Sequence, residues 1–232
     1  MSRSLSIAAV LATVTIALPA AAHVSVQSGN GIANQSGLVT FGVGHGCTGA
    51  DTYAVTIDIP AGVTSVRPMF SDFGNTSVTL DANNVVTSVT WQKPLTNETA
   101  LAADTNYYQL LLRLKPPNTP FTTLYFPAHQ TCRAANGTLS TVEWTALPGQ
   151  MGEPAPALNL VPAHLPGWNK VTMPFHVGDE LLPIFFGDAL IVWRGTDAFS
   201  VNPNTVTLIE STPGVNPISG GVHPDDEVWI RY

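Results

Sequence analysis

Three features of the sequence predict an all-β chain. Apolar and polar residues alternate with a period of two, Gly, Pro and Asn turn signals recur about every 8–12 positions, and no helical stripe competes. The architecture they predict is an antiparallel β-sandwich of immunoglobulin/fibronectin-like type, followed by a smaller β-rich module. Composition agrees with a folded chain. Only 11% of the 232 residues are charged, 19 are Gly and 19 are Pro, and the mean hydropathy is +0.17.

The first 22 residues read as a secretory signal peptide. Arg3 gives a short positive start, residues 7–18 an apolar run, and Pro19 a break. Ala20 and Ala22 supply the small-x-small pattern that signal peptidase requires. The run is too short for a permanent bilayer helix, and no later segment is long enough for one. The mature chain is therefore expected to begin at His23, exported to the periplasm or the cell exterior, with no integral membrane segment.

Strands follow from there. Val24 and Val26 alternate with Ser25 and Gln27 before a turn at Ser28-Gly29-Asn30-Gly31. Val39, Phe41 and Val43 form the next stripe. The clearest strand places Tyr53, Val55, Ile57 and Ile59 on one face, and Pro60-Ala61-Gly62 ends it. Further strands are expected at 78–80, 85–91, 108–114, 124–126 and 141–144. Residues 147–157, with three prolines, read as a linker or extended crossover. Sequence-defined domains are thus 1–22, 23–157 and 158–232. The last should hold strands at Phe185-Phe186, 190–193, 206–208 and 228–232, with a size that favours packing on the first domain.

Charge excludes one large class of partners. The net charge is −7, and no basic cluster is present to track nucleic-acid phosphates. Gly-x-Ser-x-Gly, P-loop and His-Glu-x-x-His motifs are absent from the sequence, so ordinary hydrolase and nucleotide chemistry has no foothold. Cys47 and Cys132 stand downstream of an export signal, where an isolated pair most often forms a disulfide; a thiolate copper site is the weaker alternative. The cross-linked loop is long, worth roughly 4–5 kcal/mol in the chain-entropy model.

The residues that could carry chemistry are His23, His45 in Gly44-His45-Gly46-Cys47, and His129 in His129-Gln130-Thr131-Cys132. A free α-amine has an ordinary pKa near 7.7–8.0. With the δ nitrogen of its own imidazole it can close a six-membered chelate on one metal ion. An amine and two imidazoles suit Cu(II), which favours tetragonal nitrogen ligation, better than zinc, which seeks a tetrahedron. A disulfide would draw His45 and His129 toward one region. His45 as an ordinary loop residue, and His129 as a structural one, are the competing readings.

Three segments carry a family resemblance. They are the start Ala22-His23-Val24-Ser25-Val26; Phe41-Gly42-Val43-Gly44-His45-Gly46-Cys47-Thr48-Gly49, followed by Ile57-Asp58-Ile59-Pro60-Ala61-Gly62-Val63 and Val66-Arg67-Pro68; and Phe126-Pro127-Ala128-His129-Gln130-Thr131-Cys132 followed by Trp144. Over about residues 23–157 the chain resembles the YcnI-like copper-binding domain family of exported bacterial proteins. The resemblance implies a β-sandwich that holds Cu(II) through a histidine brace at the cleaved N-terminus. His23 matches the brace residue, and Trp144 matches a tryptophan beside the metal, although a plain core role would also explain it. Better-described members carry an acidic residue in the segment occupied here by Gly44-His45-Gly46. His45 in its place implies either a two-histidine brace or an altered, weaker site.

The function expected on this basis is copper sequestration, trafficking or homeostasis without catalysis, with the copper ion as ligand and a transfer protein in the same compartment as partner. The alternatives are a copper oxidase resembling lytic polysaccharide monooxygenases, and an adhesion or scaffold module in which His23 is incidental. Trp91 and Trp168 read as packing residues, with an aromatic patch for sugar as the alternative. His164, His176 and His223 read as structural or exposed, and Asp225-Asp226-Glu227 as a solvated turn.

Overall fold

The computed structural model describes residues 23–44, 47, 50–94 and 106–232. The expected signal peptide and His45 lie outside the described residues. Thirteen strands build the first part: β1 (Val24–Val26), β2 (Gly31–Ile32), β3 (Gly37–Val43), β4 (Asp51–Asp58), β5 (Thr64–Pro68), β6 (Asn75–Leu80), β7 (Val86–Gln92), β8 (Tyr108–Lys115), β9 (Thr123–Tyr125), β10 (Ala128–Arg133), β11 (Leu139–Ala146), β12 (Glu153–Pro154) and β13 (Ala157–Val161). One sheet has the order β1-β3-β8-β5, the facing one β12-β11-β10-β4-β7-β6, and β2-β13-β9 form a small third. The sandwich expected from the alternation is present.

Its core is the set of alternating residues that the pattern put inward. Val39, Phe41 and Val43 of β3 and Leu110, Leu112 and Leu114 of β8 meet Val55, Ile57, Val89, Trp91, Ala128 and Trp144 of the facing sheet. Most of these are wholly shielded from water. At about 1.5–3 kcal/mol for each large apolar side chain buried, this layer supplies the main drive to fold. Trp91 is a packing residue, as expected. Beside the disulfide end, Asp51 is fully buried and meets Lys93 Nζ at 2.6 Å and Arg133 Nη2 at 3.7 Å. A buried charge is tolerated only when it is paired in this way.

Residues 147–157 take the crossover form. Glu153 and Pro154 run parallel to β11, with Glu153 beside Trp144. The Ala155 N–H donates to the Ala146 carbonyl at 2.9 Å. The boundary expected at Ala157 falls at the start of β13, whose Leu158 and Leu160 belong to the sandwich core, while Val161 at its end packs in the second cluster.

The second module adds β14 (Trp168–Thr172), a short 3-10 helix (Asp179–Leu181), α1 (Leu182–Phe186), β15 (Ile191–Arg194), β16 (Asp197–Phe199), α2 (Pro203–Ser211), β17 (Asn216–Pro217) and β18 (Glu227–Arg231). Its sheet has the order β14-β18-β15-β16-β17. Two expected strands are helices instead. Phe185-Phe186 close α1, where Leu182, Phe185 and Phe186 recur at the spacing of one helical face and are buried. Val206-Thr207-Leu208 lie in α2, where the Asn202 side chain accepts from the Asn204 and Thr205 N–H groups and Pro203 takes the first turn. The β-branched run suggested a strand, but the cap and the proline outweigh that preference.

The two cores are joined by Phe121. Its ring is 2% exposed, lies in the second cluster with Met173, Val222 and Val228, and contacts Phe185 and Phe186 at 6.0 and 5.4 Å. Its backbone φ is +67°, a left-handed conformation that costs a side-chain-bearing residue about 1–2 kcal/mol. Burial of the ring offsets that strain. Phe121→Ala is expected to destabilise the chain by about 3–5 kcal/mol, and denaturant unfolding followed by tryptophan fluorescence measures it. A loss below about 1 kcal/mol would show that the ring is not the joint described.

Candidate metal centre

Register sets the site at the edge of the sandwich. In β1, Val24 pairs with Val43 and Val26 with Phe41, so His23 stands at the level of Gly44. The residue after Gly44 is His45, which lies outside the described residues. Val24 is buried and anchors His23 against the facing sheet. There the imidazole meets the Trp144 indole edge-on, with ring centroids 5.3 Å apart and an interplanar angle of 72°. The His23 side chain is 39% exposed. Its Nδ1 is nonetheless shielded from water and has no hydrogen-bond partner. The Glu153 carboxylate is 3.9 Å from it, beyond hydrogen-bond reach.

Trp144 is held from below. Its Nε1–H donates to Gln130 Oε1 at 3.1 Å, and the Gln130 amide donates to Thr52 Oγ1 at 2.9 Å. Gln130 is 1% exposed and Thr52 fully buried, so this chain of polar groups fixes the indole and leaves no donor stranded. Cys132 follows on the same face. The disulfide to Cys47 is formed, with Cα atoms 5.9 Å apart, and the Cys47 N–H donates to Cys132 Sγ at 3.0 Å. The cross-link therefore ties the segment after Gly44 to the strand that supports Trp144.

His129 is not brought to His23. Trp144 pairs with Ala128, whose side chain is in the core. The next residue must point to the other side of the sheet. There one ring nitrogen of His129 meets Glu143, and Nε2 lies 3.1 Å from Asp58 Oδ2. His129 thus lies on the face of the sheet opposite Trp144, and its place relative to His45 falls outside the described residues. Burial works to lower the His129 pKa, but hydrogen bonds to Asp58 and then Glu143, with their negative charges, outweigh it and raise it above 6.5. His129 is held between the Asp58 and Glu143 carboxylates, a setting that favours its protonated form.

Among the described residues, no group of three or more His, Cys, Asp or Glu side chains is arranged to hold a metal ion. Of the four sequence-named residues His23, His45, His129 and Trp144, His23 and Trp144 meet, and Gln130 and Glu153 join them. Sequence reasoning missed Gln130, having placed no strand over Ala128–Arg133. Glu153 carried one signal: it is the lone acid in residues 147–157. His164 stacks on Tyr232 at 3.7 Å, and His176 lies 4.7 Å from His223; neither pair is near His23 in the sheet order.

The fold and this edge site define a disulfide-bonded β-sandwich domain of immunoglobulin-like type. Residues 23–160 match a family model described as "Domain of unknown function (DUF1775)". The match spans more than half of the chain, which belongs to that family. The structure is similar to the crystal structure of an uncharacterized protein from Nocardia farcinica, described as revealing an immunoglobulin-like fold. The two are 26% identical with a TM-score of 0.50, over 60% of this chain and 99% of that one. No curated protein matches the chain.

A histidine whose pKa is raised by folding stabilises the native state in its protonated form. That contribution is complete below its unfolded value near 6.5 and is lost as pH rises through the folded value. His129→Gln is therefore expected to lower Tm more at pH 5.5 than at pH 8.5. Equal losses at both would show that the imidazolium has no stabilising role.

Proposed function

We propose that this chain is an exported copper-binding protein that holds Cu(II) at His23 after removal of residues 1–22, for sequestration or hand-over rather than for catalysis. The supporting observation is the buried, unpartnered Nδ1 of His23, set against Trp144 and within 3.9 Å of a Glu153 carboxylate oxygen. A shielded ring nitrogen without a hydrogen-bond partner is unfavourable, and a metal ion would satisfy it. The donor chemistry fits Cu(II): imidazole nitrogen, the amine freed by cleavage, and a carboxylate. His45 would give a second imidazole. The YcnI-like resemblance carries the copper reading itself.

In this mechanism Trp144 walls one side of the ion from water and holds the imidazole in place. Gln130 and Thr52 keep the indole from turning. Release proceeds by ligand exchange with a partner protein or by protonation of the amine and the ring, since both must be neutral to bind. Affinity should accordingly fall as pH drops from about 8 to 5, the span in which such groups titrate.

Copper titration of protein beginning at His23, beside the same protein with one additional Ala in front, tests the reading. The extra residue is expected to lower Cu(II) affinity by tenfold or more and to change the nitrogen-rich tetragonal paramagnetic resonance signal. Identical binding by both forms would mean that the amine is not a ligand. Peroxide-dependent release of oxidised sugars from chitin, cellulose or xylan would instead make the chain a copper oxidase.

A further inference from the structure

The outward face of the second module carries three tryptophans in one patch. In β14, β18 and β15 the inward residues Asn169, Val228, Ile230 and Val192 are buried, and the alternate positions face solvent. Register places Trp168 beside Arg231, and Trp229 between Lys170 and Trp193. Trp168 is 46% and Trp229 43% exposed. The three indoles alone line one open, shallow depression. With strands about 4.8 Å apart and about 3.4 Å per residue, they spread over a platform roughly 10 Å by 7 Å.

Cations stand among the rings. Arg231 lies over Trp168 and Lys170 over Trp229, each 5.8 Å from the ring centroid. Lys170 is matched by Glu227 at 2.5 Å. Arg231 has no carboxylate partner among the described residues, so it is an uncompensated cation on a chain of net charge −7. The platform is small for a protein partner. At roughly 200 Å² per tryptophan, with somewhat under half exposed, it offers on the order of 250 Å². A stable protein interface needs about 800 Å² from each partner.

We propose that this patch binds an acidic polysaccharide. The C–H faces of pyranose rings would stack on the indoles, and a uronate carboxylate would reach Arg231. Indoles suit a flat ring with an apolar face and a polar rim, since they combine a large rigid area with a polar N–H. A guanidinium in a fixed fork suits a carboxylate. The site is separate from His23, and this reading does not depend on copper.

Titration of the purified chain with an oligogalacturonate, followed by tryptophan fluorescence, tests it, with cellohexaose as the neutral comparison. Binding of the acidic sugar is expected, weakening with salt. Trp229→Ala should lose tenfold or more in affinity, and Arg231→Gln should lose severalfold and flatten the salt dependence. Trp168→Ala, on the edge strand, gives an independent reading if the central-strand variant fails to fold. The proposal is overturned if the oligogalacturonate leaves fluorescence unchanged, if cellohexaose binds as well as the acidic sugar, or if the tryptophan variants bind like the parent. Self-association abolished by Trp229→Ala would also overturn it, making the patch a contact between copies.

Discussion

Strand β10 lies between β4 and β11, and its register decides what each of its side chains can do. Ala128, Gln130 and Cys132 face the core, where they pack, hold the Trp144 indole and form the cross-link to Cys47. His129 and Thr131 face away. A slip of one residue would exchange the two sets at once, burying the His129 imidazole between the sheets and turning the disulfide cysteine out to solvent. The pairing on both sides, with β4 and with β11, prevents that slip. The geometry of the edge site is thus a consequence of central-sheet pairing and not of the loops around it.

The constraint also explains how the site residues are shared between distant parts of the sequence. His23 precedes the first strand, Trp144 is in the eleventh and Glu153 in the twelfth. They meet because β1 closes one end of its sheet while β11 and β12 close the same side of the other. The parallel pairing of Glu153 with Trp144 is what carries an acid to this edge. A Pro- and Gly-rich segment that looks like a spacer in sequence serves as the outermost strand.

Much of the sandwich was legible in the sequence because a half-buried strand writes its two faces as alternation. Val39-Phe41-Val43 and Val55-Ile57 are inward in the structure as their spacing predicts, while a register shift beside Tyr53 takes that ring out of the core to Gln92 and Arg133. The cysteine pair was legible because few other partners were available to either residue. What alternation cannot report is position across the sheet. The strand over Ala128–Arg133 went unread, and with it the fact that His129 faces away from Trp144. In the second module, short local rules competed. Val206-Thr207-Leu208 reads as a strand, yet the Asn202 cap and Pro203 start a helix ahead of it. Trp168 reads as a core residue by type, and only its place on the outward side of an edge strand exposes it.

The order of strands in the second module has a consequence for how it can form during synthesis. β18 is the last of its strands in sequence, yet it lies between β14 and β15, with Val228 and Ile230 fully buried. A chain emerging from its N-terminal end can therefore pair the whole sandwich early, but β14 has no partner on its sheet until β18 arrives. Of the groups that cover the Phe121 ring, Phe185 and Phe186 of α1 precede β18 in the chain, and Val228 of β18 comes last. The first domain thus provides a seat before the second has a sheet, and the last strand to be made both pairs its neighbours and closes the core around that ring.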